Sequence, residues 1–117
     1  MEKKVYLEIK DRTEFHKLLK NNPGYIIIKF TATWCKPCKL IKNHVNKHYI
    51  NTNVNTICFD LDVDEMFDIY SYFKKNKLVK GIPAIFAYKK GNETFIPDYS
   101  VSGANIQSID DFFNNII

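Results

Sequence analysis

Two cysteines with two residues between them, in Trp34-Cys35-Lys36-Pro37-Cys38, are the side chains of this sequence best placed to do chemistry. They fall where an apolar run, Tyr25-Ile26-Ile27-Ile28-Lys29-Phe30, hands over to the helical pattern of Lys39-Leu40-Ile41-Lys42-Asn43-His44-Val45. At such a junction the first sulfur sits at a helix N-terminus. There, unpaired backbone N–H groups and the positive end of the helix dipole favour a thiolate over a thiol. The second sulfur is about one turn further on. Two thiols so placed can close a small disulfide or open to a dithiol at little conformational cost, which is the requirement for thiol–disulfide exchange. Two incidental core thiols are the bland alternative, and the strand–helix junction speaks against it.

Other clusters are less promising. His44 and His48 share a helix face and suggest a zinc site with the cysteines, but His44 lies six residues past Cys38, about 9 Å along the axis and on another side. All four cannot converge on one tetrahedral ion, so the histidines read as surface residues and no metal site is assigned. The run Asp60, Asp62, Asp64, Glu65 lacks the glycine and the terminal glutamate of a calcium loop and reads as a helix-capping cluster. Cys58, between Ile57 and Phe59, reads as a small core residue. The net charge of +4 comes from lysines scattered along the chain, with Arg12 the only arginine. A nucleic-acid surface would cluster its basic residues, so no nucleic-acid partner is expected.

The elements that must position the cysteines alternate along the chain. Val5–Ile9 reads as a strand, and Asp11 with Glu14 makes a capping box for a helix over Phe15, Leu18 and Leu19. Strand 25–32 and helix 35–49 follow, then strand 56–61. Asp62 and Asp64 open a third helix through Met66, Ile69, Tyr70 and Phe73. Strand 84–88 turns at Lys89-Lys90-Gly91-Asn92 into a hairpin partner, Glu93-Thr94-Phe95-Ile96. A last amphipathic helix runs from about Asn105 to Ile116. The expectation is an α/β fold, a central mixed five-stranded sheet flanked by four helices. With 117 residues, 45% hydrophobic, the chain is long enough for one core and short for two, so residues 1–117 read as one domain.

The chain resembles the thioredoxins over nearly its whole length. The resemblance rests on Phe30-Thr31-Ala32-Thr33-Trp34-Cys35 before Lys-Pro-Cys-Lys, Asp60-Leu61-Asp62-Val63-Asp64, Gly81-Ile82-Pro83, Lys90-Gly91 and Ser102-Gly103-Ala104, in the family's order. It implies that Cys35 is the nucleophile that attacks a substrate disulfide and Cys38 the buried resolving thiol. Ile82-Pro83 becomes the cis-proline step that packs beside the sulfurs, with the Ile82 backbone pairing with an extended substrate segment near Gly103. Trp34 covers the site. An ordinary thiol titrates near ~8.5 and the known value for thioredoxins is near ~7. Lys36, where many thioredoxins have glycine, adds a cation beside Cys35, and Pro37 completes the motif.

Three features depart from the family pattern. Lys29 stands where a buried acid is usual, and Asp60 where that acid's lysine partner is usual, so the charges are exchanged. An unpaired ammonium in an apolar strand costs several kcal/mol, roughly, so Lys29 and Asp60 are expected to form a buried pair. Asn43 replaces a proline that kinks the active-site helix, and the segment Phe95–Val101 is longer than usual.

The reading that follows is a dithiol–disulfide oxidoreductase that reduces protein disulfides and is recharged by an unidentified upstream reductase. A glutaredoxin or disulfide isomerase is disfavoured by the proline before Cys38. A redox-silent binding module of the same fold is disfavoured by retention of both cysteines and of Pro83. No cofactor is implied. The charged stretch Met1–Lys10 is unlike a secretory leader, and no apolar run spans a bilayer, so the expectation is a cytoplasmic monomer without membrane contact.

Overall fold

The structure, a computed structural model, describes residues 3–116; Met1 and Glu2 of the charged leading stretch, and Ile117, lie outside the described residues. Nine elements follow in order: β1 (Val5–Tyr6), α1 (Arg12–Lys20), β2 (Tyr25–Thr31), α2 (Lys36–Ile50), β3 (Thr56–Asp62), α3 (Phe67–Lys75), β4 (Ala84–Lys89), β5 (Tyr99–Ser102) and α4 (Ile106–Asn114). The strands form one mixed sheet in the order β1-β3-β2-β4-β5, with β1 and β2 parallel to β3 and with β4 antiparallel to both β2 and β5. No helix among the described residues is long and apolar enough to cross a membrane.

Strand β2 lies at the centre because its isoleucines suit a strand covered on both faces. Ile26, Ile28 and Phe30 point to one side and meet Phe15 and Leu19 of α1 and Ile69 and Phe73 of α3. Ile27 points to the other and meets Ile41, Val45 and Tyr49 of α2 and Ile109, Phe112 and Phe113 of α4. By this alternation Lys29 must face α2. Its neighbours across the sheet are Asp60 on β3 and Ile85 on β4.

The ends of the elements differ from the sequence reading in four places. The first strand is only Val5–Tyr6, because Ile9 turns inward to the core and Asp11 begins the cap of α1. The Asp11 carboxylate accepts the Glu14 N–H at 2.9 Å, but the Glu14 carboxylate accepts from Lys10 N–H at 3.0 Å rather than from Asp11, so the capping box closes one residue early. Asp62 and Asp64 do not open α3. Asp62 accepts the N–H groups of Asp64 and Glu65 in a turn, and α3 begins after Met66 with no side-chain cap.

The fourth difference is the hairpin. Glu93–Ile96 is not a strand; the partner of β4 is Tyr99–Ser102, paired Ala87↔Tyr99 through Ala84↔Ser102. Asn92 holds the intervening loop by donating to Ile96 O and to Asp98 Oδ2, each at 2.9 Å. Phe95 packs against Phe15 and Tyr72 with ring centroids 5.0 and 5.2 Å apart. The apolar residues that imitate a strand pattern are thus one core anchor, Phe95, and one exposed side chain, Ile96. The long segment is therefore an anchored loop followed by the edge strand. Gly24, before β2, is set by close approach, since a Cβ there would lie 2.9 Å from Asn55 O.

Phe95→Ala is expected to lower the free energy of urea unfolding by about 2 kcal/mol, less than a fully buried phenylalanine because the ring is half-buried. Ile96→Ala should change it by less than about 0.5 kcal/mol. Equal losses would contradict the anchored loop.

Candidate active site

The site is built where β2 ends. After Thr31 the chain turns through Ala32–Trp34, the Cys35 N–H donates to Ala32 O at 3.2 Å, and Cys35 becomes the N-cap of α2. Its φ and ψ of −90° and 105° are extended, as an N-cap needs. The acceptor that a serine or aspartate usually offers is here a sulfur: the Cys38 N–H donates to Cys35 Sγ at 3.3 Å. Pro37 follows in the first turn, where a missing N–H costs nothing. The two cysteines, with Cα atoms 5.3 Å apart, form a disulfide. Cys35 is 5% and Cys38 3% exposed, so in the oxidised state the two are almost equally buried. The difference between them is one of position. Cys38, and not Cys35, lines a cleft of about 560 Å³ shared with Lys29, Asp60, Asp62, Lys42 and Leu7.

The exchanged charges meet in that cleft. Lys29 Nζ lies 3.5 Å from Asp60 Oδ2, with the lysine side chain 3% and the aspartate side chain 13% exposed. The other carboxylate oxygen, Asp60 Oδ1, accepts from the Tyr49 hydroxyl at 2.9 Å. Burial pushes the Lys29 ammonium below its ordinary value, an effect that Asp60 opposes and Lys42 reinforces. Burial likewise pushes the Tyr49 phenol well up, with the Asp60 charge adding to it, so Tyr49 stays a neutral donor. Tyr49 is not singled out by the sequence reading, although it is fully buried. Its spacing from Cys38, Ile41 and Val45, the other buried positions of α2, is the signal that puts it on the same face.

The remaining residues frame the sulfurs. Trp34 is 65% exposed, and its indole Nε1–H donates to Asp64 Oδ2 at 2.8 Å, which ties the loop before Cys35 to the turn after β3. Lys36 and Pro37 are exposed. The Ile82-Pro83 bond is cis and immediately precedes β4; Ile82 packs on the apolar cluster that contains both cysteines. Gly103 N–H donates to Pro83 O at 2.9 Å, and its φ of +87° requires glycine. Helix α2 runs unbroken through the exposed Asn43. Cys58 is fully buried on β3, with its thiol pushed up to about 11 chiefly by burial. His44 and His48 lie apart from the cysteines, and both face Asp110 of α4.

A family model described as Thioredoxin matches residues 6–115. Thioredoxin 3 of Plasmodium falciparum is 29% identical over 118 residues, a match that covers 97% of this chain and 60% of the relative's length. The human protein named thioredoxin is 29% identical over 112 residues, covering 94% of this chain and 97% of its own. The solved structure of Trichomonas vaginalis thioredoxin superposes with a TM-score of 0.77 at 21% identity, covering 97% of each chain, and so supports the fold.

A lysine held below its ordinary 10.5 takes up a proton on unfolding, so stability rises with pH between the folded value and 10.5. Below that window both states are charged and the burial cost is present in full. The unfolding free energy of the native chain relative to Lys29→Met should therefore rise as pH goes from neutral to about 10. Cys58, raised from 9.0, acts in the opposite sense above pH 9 but equally in both proteins. A flat difference in parallel urea titrations would show that Lys29 is not desolvated.

Proposed function

The chain belongs to the thioredoxin family of dithiol–disulfide oxidoreductases, and from that premise we propose how its own residues divide the reaction. Cys35 is the nucleophile. As a thiolate it attacks one sulfur of a substrate protein's disulfide; that S–S bond breaks, a Cys35–substrate disulfide forms, and the leaving thiolate takes a proton from water. Cys38 then loses its proton and attacks Cys35 Sγ. The mixed disulfide breaks, the second substrate thiol leaves, and the Cys35–Cys38 disulfide remains to be reduced by an upstream dithiol or thiol.

The observation that carries the division of roles is the Cys38 N–H donated to Cys35 Sγ at the start of α2. A free N–H and the helix dipole stabilise a thiolate on Cys35, while Cys38 sits one turn into the helix. Lys36, exposed beside Cys35, adds a solvated cation whose effect is small.

Asp60 is the proton acceptor for Cys38. It lines the same cleft, and Lys29 and Tyr49 fix its two oxygens. Lys29 sets its positive charge against that carboxylate and cannot itself serve as base while charged. Ile82, Pro83 and Gly103 form the edge against which an extended substrate segment lies, and Trp34 flanks it. This work suits a single domain acting as a monomer in a reducing compartment such as the cytoplasm.

In an insulin-reduction assay with dithiothreitol as electron source, Cys35→Ser should abolish turnover. Cys38→Ser should accumulate a stable mixed disulfide visible by mass. Asp60→Asn should slow release of that mixed disulfide by about 100-fold at neutral pH while sparing its formation. Resolution at the native rate in Asp60→Asn would remove Asp60 from the mechanism and leave the electrostatic effect of Lys29 on Cys38.

A further inference from the structure

His44, His48 and Asp110 belong to no part of the disulfide reaction, yet their geometry is specific. The histidines lie four residues apart on α2, so about 6 Å of helix rise puts both rings on one face. Each ring presents Nε2 to the same atom, Asp110 Oδ1 on α4, at 2.6 Å. The three ligand atoms lie within 4.8 Å of one another. The His48 ring is held by stacking on Phe113, with centroids 4.4 Å apart and planes 5° from parallel, and the His44 ring meets it edge-on at 5.1 Å. Asp110 thus brings a carboxylate oxygen to both imidazoles from the neighbouring helix.

From this cluster we infer that α2 and α4 together form a site for a divalent cation of the zinc class, bound by His44 Nε2, His48 Nε2 and an Asp110 oxygen. Two imidazoles and one carboxylate make a donor set that zinc takes readily, with a fourth position left to water. Zinc bonds of about 2.0–2.2 Å set tetrahedral edges of about 3.3 Å, so each Nε2 withdraws about 0.7 Å from Oδ1 while the three atoms, now within 4.8 Å of one another, close to that edge by side-chain rotation. Each neutral ring carries its proton on Nδ1 in the bound state, and the Nε2 lone pairs become ligands. The site opens onto a shallow depression of about 330 Å³, which gives a water ligand room. Lys47 also lines that depression, and its charge opposes the ion, so affinity should be moderate. Magnesium and calcium, which prefer all-oxygen sets, should not bind here.

In sequence the histidines have only the cysteines as nearby ligand types, and those lie on another side of α2. Asp110 is 62 residues beyond His48 in sequence and is brought in by the packing of α4 beside α2.

The test uses the oxidised chain, in which the Cys35–Cys38 disulfide cannot compete for metal. Zinc titrated calorimetrically, and cobalt followed by its visible d–d absorption, should each saturate at one ion per chain. The cobalt spectrum should have tetrahedral intensity. His48→Ala and Asp110→Asn should each weaken binding by at least about 10-fold, and magnesium should give no heat. His44→Gln, at a half-buried position, serves as a further variant should either of the others fail to fold. Absence of saturable zinc binding, or unchanged affinity in the variants, would overturn the site. Neither result depends on disulfide reduction, so the two assignments stand or fall separately.

Discussion

A helix that begins inside a protein must find acceptors for its first N–H groups, and for α2 the acceptor is a sulfur. That single requirement organises the rest. The sulfur must be at the N-cap, so β2 has to end at Thr31 and the turn through Ala32–Trp34 has to be tight. The helix must be anchored, and α2 is: Ile41, Val45 and Tyr49 bury its inner face against β2, β3 and β4. A thiolate at that position inherits the stabilisation that any capping group would receive. The same contact that starts the helix thereby lowers the cost of the reactive form of the cysteine.

Behind the sulfurs the structure holds a charged pair, Lys29 and Asp60, whose polarity is reversed relative to the family pattern, with the neutral Tyr49 hydroxyl donating to it. Lys29 is nearly inaccessible, at 2% exposure, and survives there because Asp60 neutralises it and Tyr49 satisfies the other carboxylate oxygen. Among the described residues no buried side-chain polar atom is left without a partner. Such a pair is weak evidence for stability, since the cost of desolvating two charges offsets most of their attraction. Its value lies in placement. The carboxylate comes from β3 rather than β2, one strand over, and still opens on the cleft that Cys38 lines. An exchange of signs between neighbouring strands thus leaves a carboxylate on the cleft beside Cys38 while changing which strand supplies it.

The sheet, its alternation of faces and the strand–helix junction were legible because each rests on local periodicity. Ile26, Ile28 and Phe30 against Ile27 and Lys29 determine the two faces, and the Lys29–Asp60 pairing follows once both are known to sit on adjacent strands. Reading failed where long-range packing overrides a local pattern. Phe95 and Ile96 look like strand residues, but Phe95 is drawn out of register by the aromatic cluster with Phe15 and Tyr72. Asp62 looks like a helix cap and instead closes the turn before α3. Tyr49, Asp64 and Asp110 were missed as partners because their contacts reach across 11, 30 and, for His44, 66 residues.

The assignment of the nucleophile turns on which thiol of the reduced protein ionises first. Alkylation with iodoacetamide as a function of pH, with each cysteine read by peptide mass, measures it. Cys35 should be labelled before Cys38, with an inflection clearly below the ~8.5 of an ordinary thiol. Preferential labelling of Cys38, or a Cys35 inflection at or above that value, would contradict the role given to the helix N-terminus.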